Sequence, residues 1–442
     1  MLKCIYMKKS FFKFTFLLLF ISIFINNTSL ALIKKPTYLP KNDFTYSAWI
    51  PYWARWGGTD ELLSLSNSNT TIYNSNFTAT NTASVFFGAT SSIMNLDKLD
   101  IISPFTFEVD STGAFLDKGK MSEDAFASLI AIAKAKNIKI YPTVLWTDGE
   151  NIDKVLKDKD LQDAILSDVL YYLNKYNLDG IDIDFEGKKA ETRQNFSSLL
   201  KLLSNSLHKK NKGLICTIEV RTPLEDKYLK LTSKTKSSIE YSNDYSVIGK
   251  YCDNVRLMSY DQMEDDINLN NKNKDIYYRP VADINWVERV IKNTINFGIP
   301  ANKIVLGIAT YGYKFEVSTS TKTSFVNTNK ADKYGSILLN NQSIYSYSRI
   351  GSMNYFYADQ LAKNLNIIPT RNNGGELEFT YASSTDSSND TQGIMKTYYV
   401  EYSDSIAIAQ KIALAKKYKL GGVSMFKIDG NNDHNIWNLI KK

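Results

Sequence analysis

Histidine and cysteine are nearly missing from this chain. There are two histidines, His208 and His434, and three cysteines, Cys4, Cys216 and Cys252, in 442 residues. So few histidines leave almost no room for a Ser-His-Asp or Cys-His relay, and no Cys/His spacing suits zinc. Cys216 and Cys252 make no disulfide framework; they fall on neighbouring strands, where a bond between them stays open and buried free thiols are the default expectation. No glycine-rich phosphate loop follows the first strand-like run. Beyond residue 31 no run of 18 or more apolar residues could span a bilayer. A real surplus of one charge is lacking too. The net charge of +7 owes four units to Lys3, Lys8, Lys9 and Lys13, so without them it falls to +3 (7 − 4), which argues against a nucleic-acid partner. Carboxylate chemistry is what remains, on a chain whose 43% hydrophobic content supports a sizeable core.

The four lysines precede the apolar run Phe14–Ile25, and Ser29-Leu30-Ala31 offers a small-residue cleavage site. Met1–Ala31 therefore has the layout of a secretory signal peptide, with a permanent anchor as the alternative. Residues 32–43 read as a linker and 44–442 as one large domain. That domain is expected to be secreted or held in the cell envelope, to leave the membrane once the signal is cleaved, and to be a monomer.

Strand-like runs recur at Tyr46–Trp53, Ile101–Phe107, Ile138–Trp146, Leu178–Glu186, Leu214–Arg221, Asn254–Tyr260, Ile304–Tyr311 and Gly422–Ile428. Amphipathic stretches lie between them. Glu123–Lys136 follows Ser122, a candidate N-cap, and Leu161–Lys175 carries Ile165, Val169 and Leu173 as one stripe. Eight strands alternating with helices predict an α/β fold, a (β/α)8 TIM barrel with its site at the carboxyl ends of the strands. A doubly wound sheet is the competing architecture. Two segments break the rhythm: Ser64–Ser84, rich in Ser, Thr and Asn, reads as a surface insertion. Residues 316–399, with a helical stretch and two alternating runs, read as a small α+β insertion between strands seven and eight.

The run Leu178-Asp-Gly-Ile-Asp-Ile-Asp-Phe-Glu186 carries the chemistry. Asp182, Asp184 and Glu186 alternate with Ile183 and Phe185, so in a strand the three carboxyls share one face, about 7 Å apart at each step. Clustered buried acids are costly unless protons are shared or counter-charges supplied. A general acid at Glu186 is one reading; a structural ion-pair network and a hard-cation site are the others. Asp179, at an odd offset, reads as structural. Parity also puts Arg256 on the face of Met258 and Tyr260, and Glu219 on that of Thr217 and Arg221. Arg256 with Glu219 is therefore expected in the charge network beneath Asp182; the alternative has Glu219 and Arg221 paired at the rim or on substrate.

Val255-Arg-Leu-Met-Ser-Tyr-Asp-Gln262 adds a second acidic motif. Together the two resemble glycoside hydrolase family 18, the chitinase family. The family's DxxDxDxE is matched at Asp179, Asp182, Asp184 and Glu186, and its MxYD at Met258, Tyr260 and Asp261. Ser103-Pro-Phe105, Lys303–Gly312 and Val400-Glu-Tyr402 match further stretches, so the resemblance runs from about Tyr46 to the end. It implies hydrolysis of β-1,4 bonds in N-acetylglucosamine polysaccharide, chitin or chitooligosaccharides first, with no cofactor and no metal. Peptidoglycan strands, as in the spore-cortex branch that Ser103-Pro-Phe105 resembles, come second, N-glycan cores third, and a non-catalytic chitinase-like lectin is the alternative.

By that resemblance Glu186 protonates the leaving oxygen while the substrate's own acetamido oxygen attacks. Asp184 would hold the acetamido N–H and share a proton with Asp182. Tyr260 would donate to the acetamido group, with Asp261 and Met258 lining the sugar site. Rings at strand tips are the candidate sugar platforms: Trp53, Trp146 and Tyr311 first, then Trp49 and Trp56. Phe426 stands where the family usually places a tryptophan, a departure that leaves a smaller platform. Trp286 and Trp437 are assigned to helix packing.

Overall fold

The structure, a computed structural model, describes residues 36–40, 43–52, 90–228, 231–319, 345–384, 395–428, 433 and 435–440. The chain divides into Met1–Thr37 and a compact unit, Tyr38–Lys442, which holds every element below. Trp53, Trp56, Ser64–Ser84 and the signal segment lie outside the described residues. No helix among the described residues is long and apolar enough to cross a membrane.

Eight parallel strands close a ring. Barrel strands one to eight are Thr45–Ile50, Ile101–Val109, Thr143–Trp146, Gly180–Phe185, Gly213–Glu219, Asn254–Met258, Ile304–Ala309 and Gly422–Phe426. Each pairs with the next, and strand eight pairs back onto strand one. Strands one, four and seven are buried at every position, as expected for parallel strands covered on both faces. The outward set of the barrel strands, among it Ala48, Ile181, Ile183, Phe185, Ile218, Leu257 and Leu306, packs under the helices in one core. A smaller inward cluster of Ile101, Tyr141 and Ile215 fills the barrel lumen. The register sets Asp182 beside Thr143 and Ile215, and Asp184 beside Leu145 and Thr217.

The helices follow from local signals. Lys159–Lys175 buries Ile165, Val169 and Leu173 as the apolar stripe requires, and Asp158 caps it by accepting from the N–H groups of Asp160 and Leu161. The helix Asp124–Ala135 differs at its start: Glu123, not Ser122, occupies the cap position, and its side chain makes no cap bond. Trp286 and Trp437 are buried in helix packing as expected.

Between barrel strands seven and eight lies a second, antiparallel sheet. Its order is Tyr345–Asn354, Tyr311–Thr319, Lys396–Tyr402, Leu377–Ser383, Thr370–Arg371. With the helix Tyr355–Asn364 it has a core of its own, built from Met353, Ala358, Ala362, Phe379, Tyr381, Tyr398, Val400 and Tyr402. Only Thr310 separates its strand Tyr311–Thr319 from barrel strand seven, so the sheet rises directly from the barrel mouth.

The expectation of free thiols is overturned: Cys216 and Cys252 form a disulfide. Cys216 faces outward on strand five, Cys252 sits just before strand six, and their Cα atoms are 6.0 Å apart, within bridging range. The bond closes a loop across 36 positions. Replacing both cysteines by alanine is expected to cost about 2–4 kcal/mol in chemical denaturation, with a lower thermal midpoint. An unchanged midpoint under strong reductant would show that the bond contributes nothing.

Candidate active site

Asp182 is the anchor of the site. Fully buried on strand four, it accepts four hydrogen bonds. Trp49 Nε1 (3.0 Å), Thr143 Oγ1 (3.0 Å) and Arg256 Nη1 (2.9 Å) reach Oδ2, and Thr217 Oγ1 (2.8 Å) reaches Oδ1. Arg256, also fully buried, donates to Ser103 Oγ (2.6 Å) and lies over the Trp49 ring at 4.8 Å. Its Nε and Nη2 find no partner among the described residues. Donors from strands one, three, five and six thus converge on one carboxylate, which is how the lumen bears an ion pair at all. Both oxygens of Asp182 are thus occupied by a guanidinium, an indole and two hydroxyls. Among the described residues no group of three His, Cys, Asp or Glu side chains is placed to hold a metal ion.

One step up the strand, Asp184 is buried and its Oδ1 has no hydrogen-bond partner among the described residues. Burial, then the charges of Glu186, Asp182 and Glu219, push its pKa well above the carboxylate range, against the pull of Lys188. With Oδ1 unpartnered, Asp184 lacks the hydrogen bonds that would support its ionised form.

Glu186 follows the strand end, half-buried at the mouth. Burial raises its pKa, as do Glu219 and Asp261, while Lys188 opposes. An acid whose ionisation is opposed by burial and neighbouring charge, at the rim of a barrel, is suited to general acid work. Tyr260, at the tip of strand six, stays a phenol donor because burial and the nearby charges of Asp184, Asp261, Glu186 and Asp182 all disfavour its ionisation.

The next residue, Asp261, has φ +57°, a left-handed conformation an aspartate tolerates. Its Oδ1 accepts from the hydroxyls of Tyr311 and Tyr313, each at 2.7 Å. The second sheet thereby fixes an acid of the barrel rim. Phe426 stacks on Tyr260 (5.4 Å, 13°) and meets Trp49, Phe105 and Tyr311 edge-on at 5.9, 6.0 and 6.0 Å. Among the aromatic candidates, Tyr311 and Phe426 lie against Tyr260.

Three readings need correction. Trp146 is buried in the outer core, edge-to-face with Phe185 at 5.2 Å, and cannot floor a sugar site. It shares parity with Val144 on the helix-facing side of strand three, so its place at the tip misled. Trp49 is inward but sits beneath the acids as a donor to Asp182, with no face free for a sugar. Arg256 occupies the network under Asp182 as read, but Glu219 does not join it. Glu219 accepts from Gly187 N (2.8 Å) and Asn243 Nδ2 (3.0 Å), beside Glu186. Nor does it pair with Arg221, whose guanidinium lies between the Tyr241 and Tyr245 rings at 3.8 Å from each. Asp179 is structural, accepting from Lys139 Nζ (2.9 Å) and Ile140 N (3.0 Å) at the amino end. Met258 lies inward, in register with Glu219. Trp53 lies outside the described residues.

Lys188, Asn243 and Tyr313 were not singled out from the sequence. Tyr313 could have been, since it shares a strand face with Tyr311; for Lys188 and Asn243 no pattern was available.

The family model for glycosyl hydrolases family 18 matches residues 48–431. The chain belongs to glycosyl hydrolase family 18. It is a chitinase-like glycosidase, and its relatives agree. The uncharacterized glycosylase YvbX of Bacillus subtilis (strain 168) is 24% identical over 341 residues, 75% of this chain and 82% of that protein. Chitinase A1 of Niallia circulans is 21% identical over 327 residues, covering 67% of this chain and 41% of its own. Among solved structures, the Bacillus cereus spore cortex-lytic enzyme SleL aligns over 90% of this chain and 73% of that one, with TM-score 0.60 and 17% identity. That last likeness carries the family's barrel fold and nothing finer.

Proposed function

We propose that this family 18 glycosidase cleaves β-1,4 bonds next to N-acetylglucosamine with retention, the substrate supplying its own nucleophile. The observation that carries the reading is the graded stack of acids: Asp182 saturated with donors, Asp184 raised, and Glu186 raised at the mouth. Glu186 gives its proton to the glycosidic oxygen as the bond from C1 breaks, its electron pair leaving with that oxygen. The acetamido carbonyl oxygen bonds to C1 from the other face, forming an oxazolinium ring. Asp184 accepts from the acetamido N–H and so aims the amide, the proton it shares with Asp182 leaves the pair with the negative charge that balances the oxazolinium, and Tyr260 donates its hydroxyl to the same group. Glu186, now a carboxylate, takes a proton from water as the water oxygen attacks C1 and reopens the ring. Asp261, Met258, Tyr311 and Phe426 line the sugar site.

Chitin or chitooligosaccharides are the substrate the reading favours. The signal-like segment at the amino terminus supports action outside the cytoplasm. Purified protein is expected to cleave an N-acetylated chitooligosaccharide and to leave the same glucosamine oligomer without acetyl groups intact, read by mass spectrometry. Equal turnover of the two removes the substrate-supplied nucleophile. Parallel digestion of chitin and peptidoglycan, with the products weighed, decides between polymers, and binding without any turnover would make the protein a lectin.

A further inference from the structure

We infer that Glu219 is a positioning residue that acts on Glu186 through its charge, and that Lys188 fixes that charge; the inference rests on Glu186 being the proton donor.

The geometry begins at Gly187, whose φ of +65° turns the chain back immediately after Glu186. That left-handed turn does two things. It points the Gly187 N–H at Glu219 Oε1, and it sends the Lys188 side chain inward instead of out to solvent. Lys188 has a fully buried side chain, over the Phe196 ring at 4.8 Å, with its ammonium donating to the Phe185 carbonyl and lying 3.5 Å from Glu219 Oε2. A buried ammonium requires an anion, and Glu219 is the carboxylate in contact with it. Glu219 is bound in turn by Lys188, Gly187 N–H and Asn243, which together hold its pKa below the usual range despite burial. A fixed negative charge therefore stands on strand five facing the acid at the end of strand four.

The charged and titratable groups that face Glu186 come from four places: Asp184 on its own strand, Glu219 on strand five, Lys188 after the turn, and Asp261 with Tyr260 at the tip of strand six. Asp184 is itself held toward its neutral form, and Asp261 acts on Glu186 less strongly than Glu219 does. Glu219 is thus the anion best placed to oppose ionisation of Glu186, with Lys188 as the counterweight.

Glu219→Gln keeps an acceptor for Gly187 N–H and removes the charge, and because it also leaves the Lys188 ammonium unpaired it is read beside two further variants. Lys188→Met removes the counterweight, and the double variant removes both. The alkaline limb of the kcat/KM profile on a chitooligosaccharide should move to lower pH in Glu219→Gln, costing about three- to tenfold at a fixed pH beyond the limb. It should move to higher pH in Lys188→Met and return toward wild type in the double variant. The Glu186 carboxyl midpoint, followed by carbon-13 NMR and assigned with Glu186→Gln, should order the four proteins in the same way, and thermal melts should show them folded. A Glu186 midpoint unmoved by Glu219→Gln, or moved to higher pH, overturns the inference. If the midpoints order as stated but no N-acetylated oligomer is cleaved, the charge relation stands and the proposed substrate falls.

Discussion

Glu186→Gln is expected to lower kcat on a chitooligosaccharide by roughly 10³–10⁴-fold, the range for loss of a general acid–base group. The sugar alkoxide is a poor leaving group, and the same side chain serves both half-reactions, protonating the leaving oxygen and then activating water. Glutamine has no proton of comparable acidity to give. Binding should survive, because the amide keeps the shape of the acid while Tyr260, Asp261 and Phe426 remain. Stability should hold or rise. The sign follows from the raised pKa of Glu186 in the folded protein, caused by burial and then by Glu219. A raised acid contributes stability that is present below its unfolded pKa and lost as pH rises through its folded pKa, so above that folded pKa the ionised Glu186 is a burden that glutamine removes. Asp184, also raised, works in the same direction. Steady-state kinetics, oligosaccharide titration and a thermal melt at neutral pH check the three parts. Residual turnover within tenfold of wild type would transfer the role of acid to another group.

How much of this was legible in the sequence depended on which physical quantity had to be read. Parity was legible: a strand alternates faces whatever surrounds it, so Asp182, Asp184 and Glu186, like Arg256 beside Met258, could be put on one face directly. Depth was not. Glu219 shares the inward face of strand five with Thr217, yet barrel strands are staggered by their tilt. Thr217 meets Asp182 and Glu219 meets Gly187, directly after Glu186, a layer higher than parity alone suggested. Trp146 was a different failure. Its alternation with Thr143 and Leu145 already marked it as outward, and position at a strand tip was given too much weight. The disulfide turned on a distance between strands that residue types do not encode, since Cys216 and Cys252 could sit as buried thiols or as a bonded pair with the same hydrophobic surroundings. Lys188 was hidden for a reason of chemistry: a lysine in a loop is usually solvated, and only the Gly187 turn with Glu219 opposite makes burial tolerable.

Arg256→Met should destabilise the protein by about 3–5 kcal/mol, the cost of leaving one partner of a buried ion pair without the other. Arg256 and Asp182 are both sealed from solvent, and Nη1 is shared between Asp182 and Ser103. Methionine fills part of the space but supplies no charge. Asp182 keeps Trp49, Thr143 and Thr217 as neutral donors, which soften the loss without replacing the cation. Adding Asp182→Asn to Arg256→Met should recover part of the stability, because the pair of changes leaves no uncompensated charge in the lumen. It should recover little activity, since a neutral residue beneath Asp184 no longer opposes that residue's ionisation. Denaturant unfolding of the four proteins in the cycle measures the coupling directly. If Arg256→Met folds with wild-type stability and merely shifts the alkaline limb of activity, the guanidinium is not the counter-ion that makes a buried stack of acids tolerable, and another source of compensation must lie beneath Asp182.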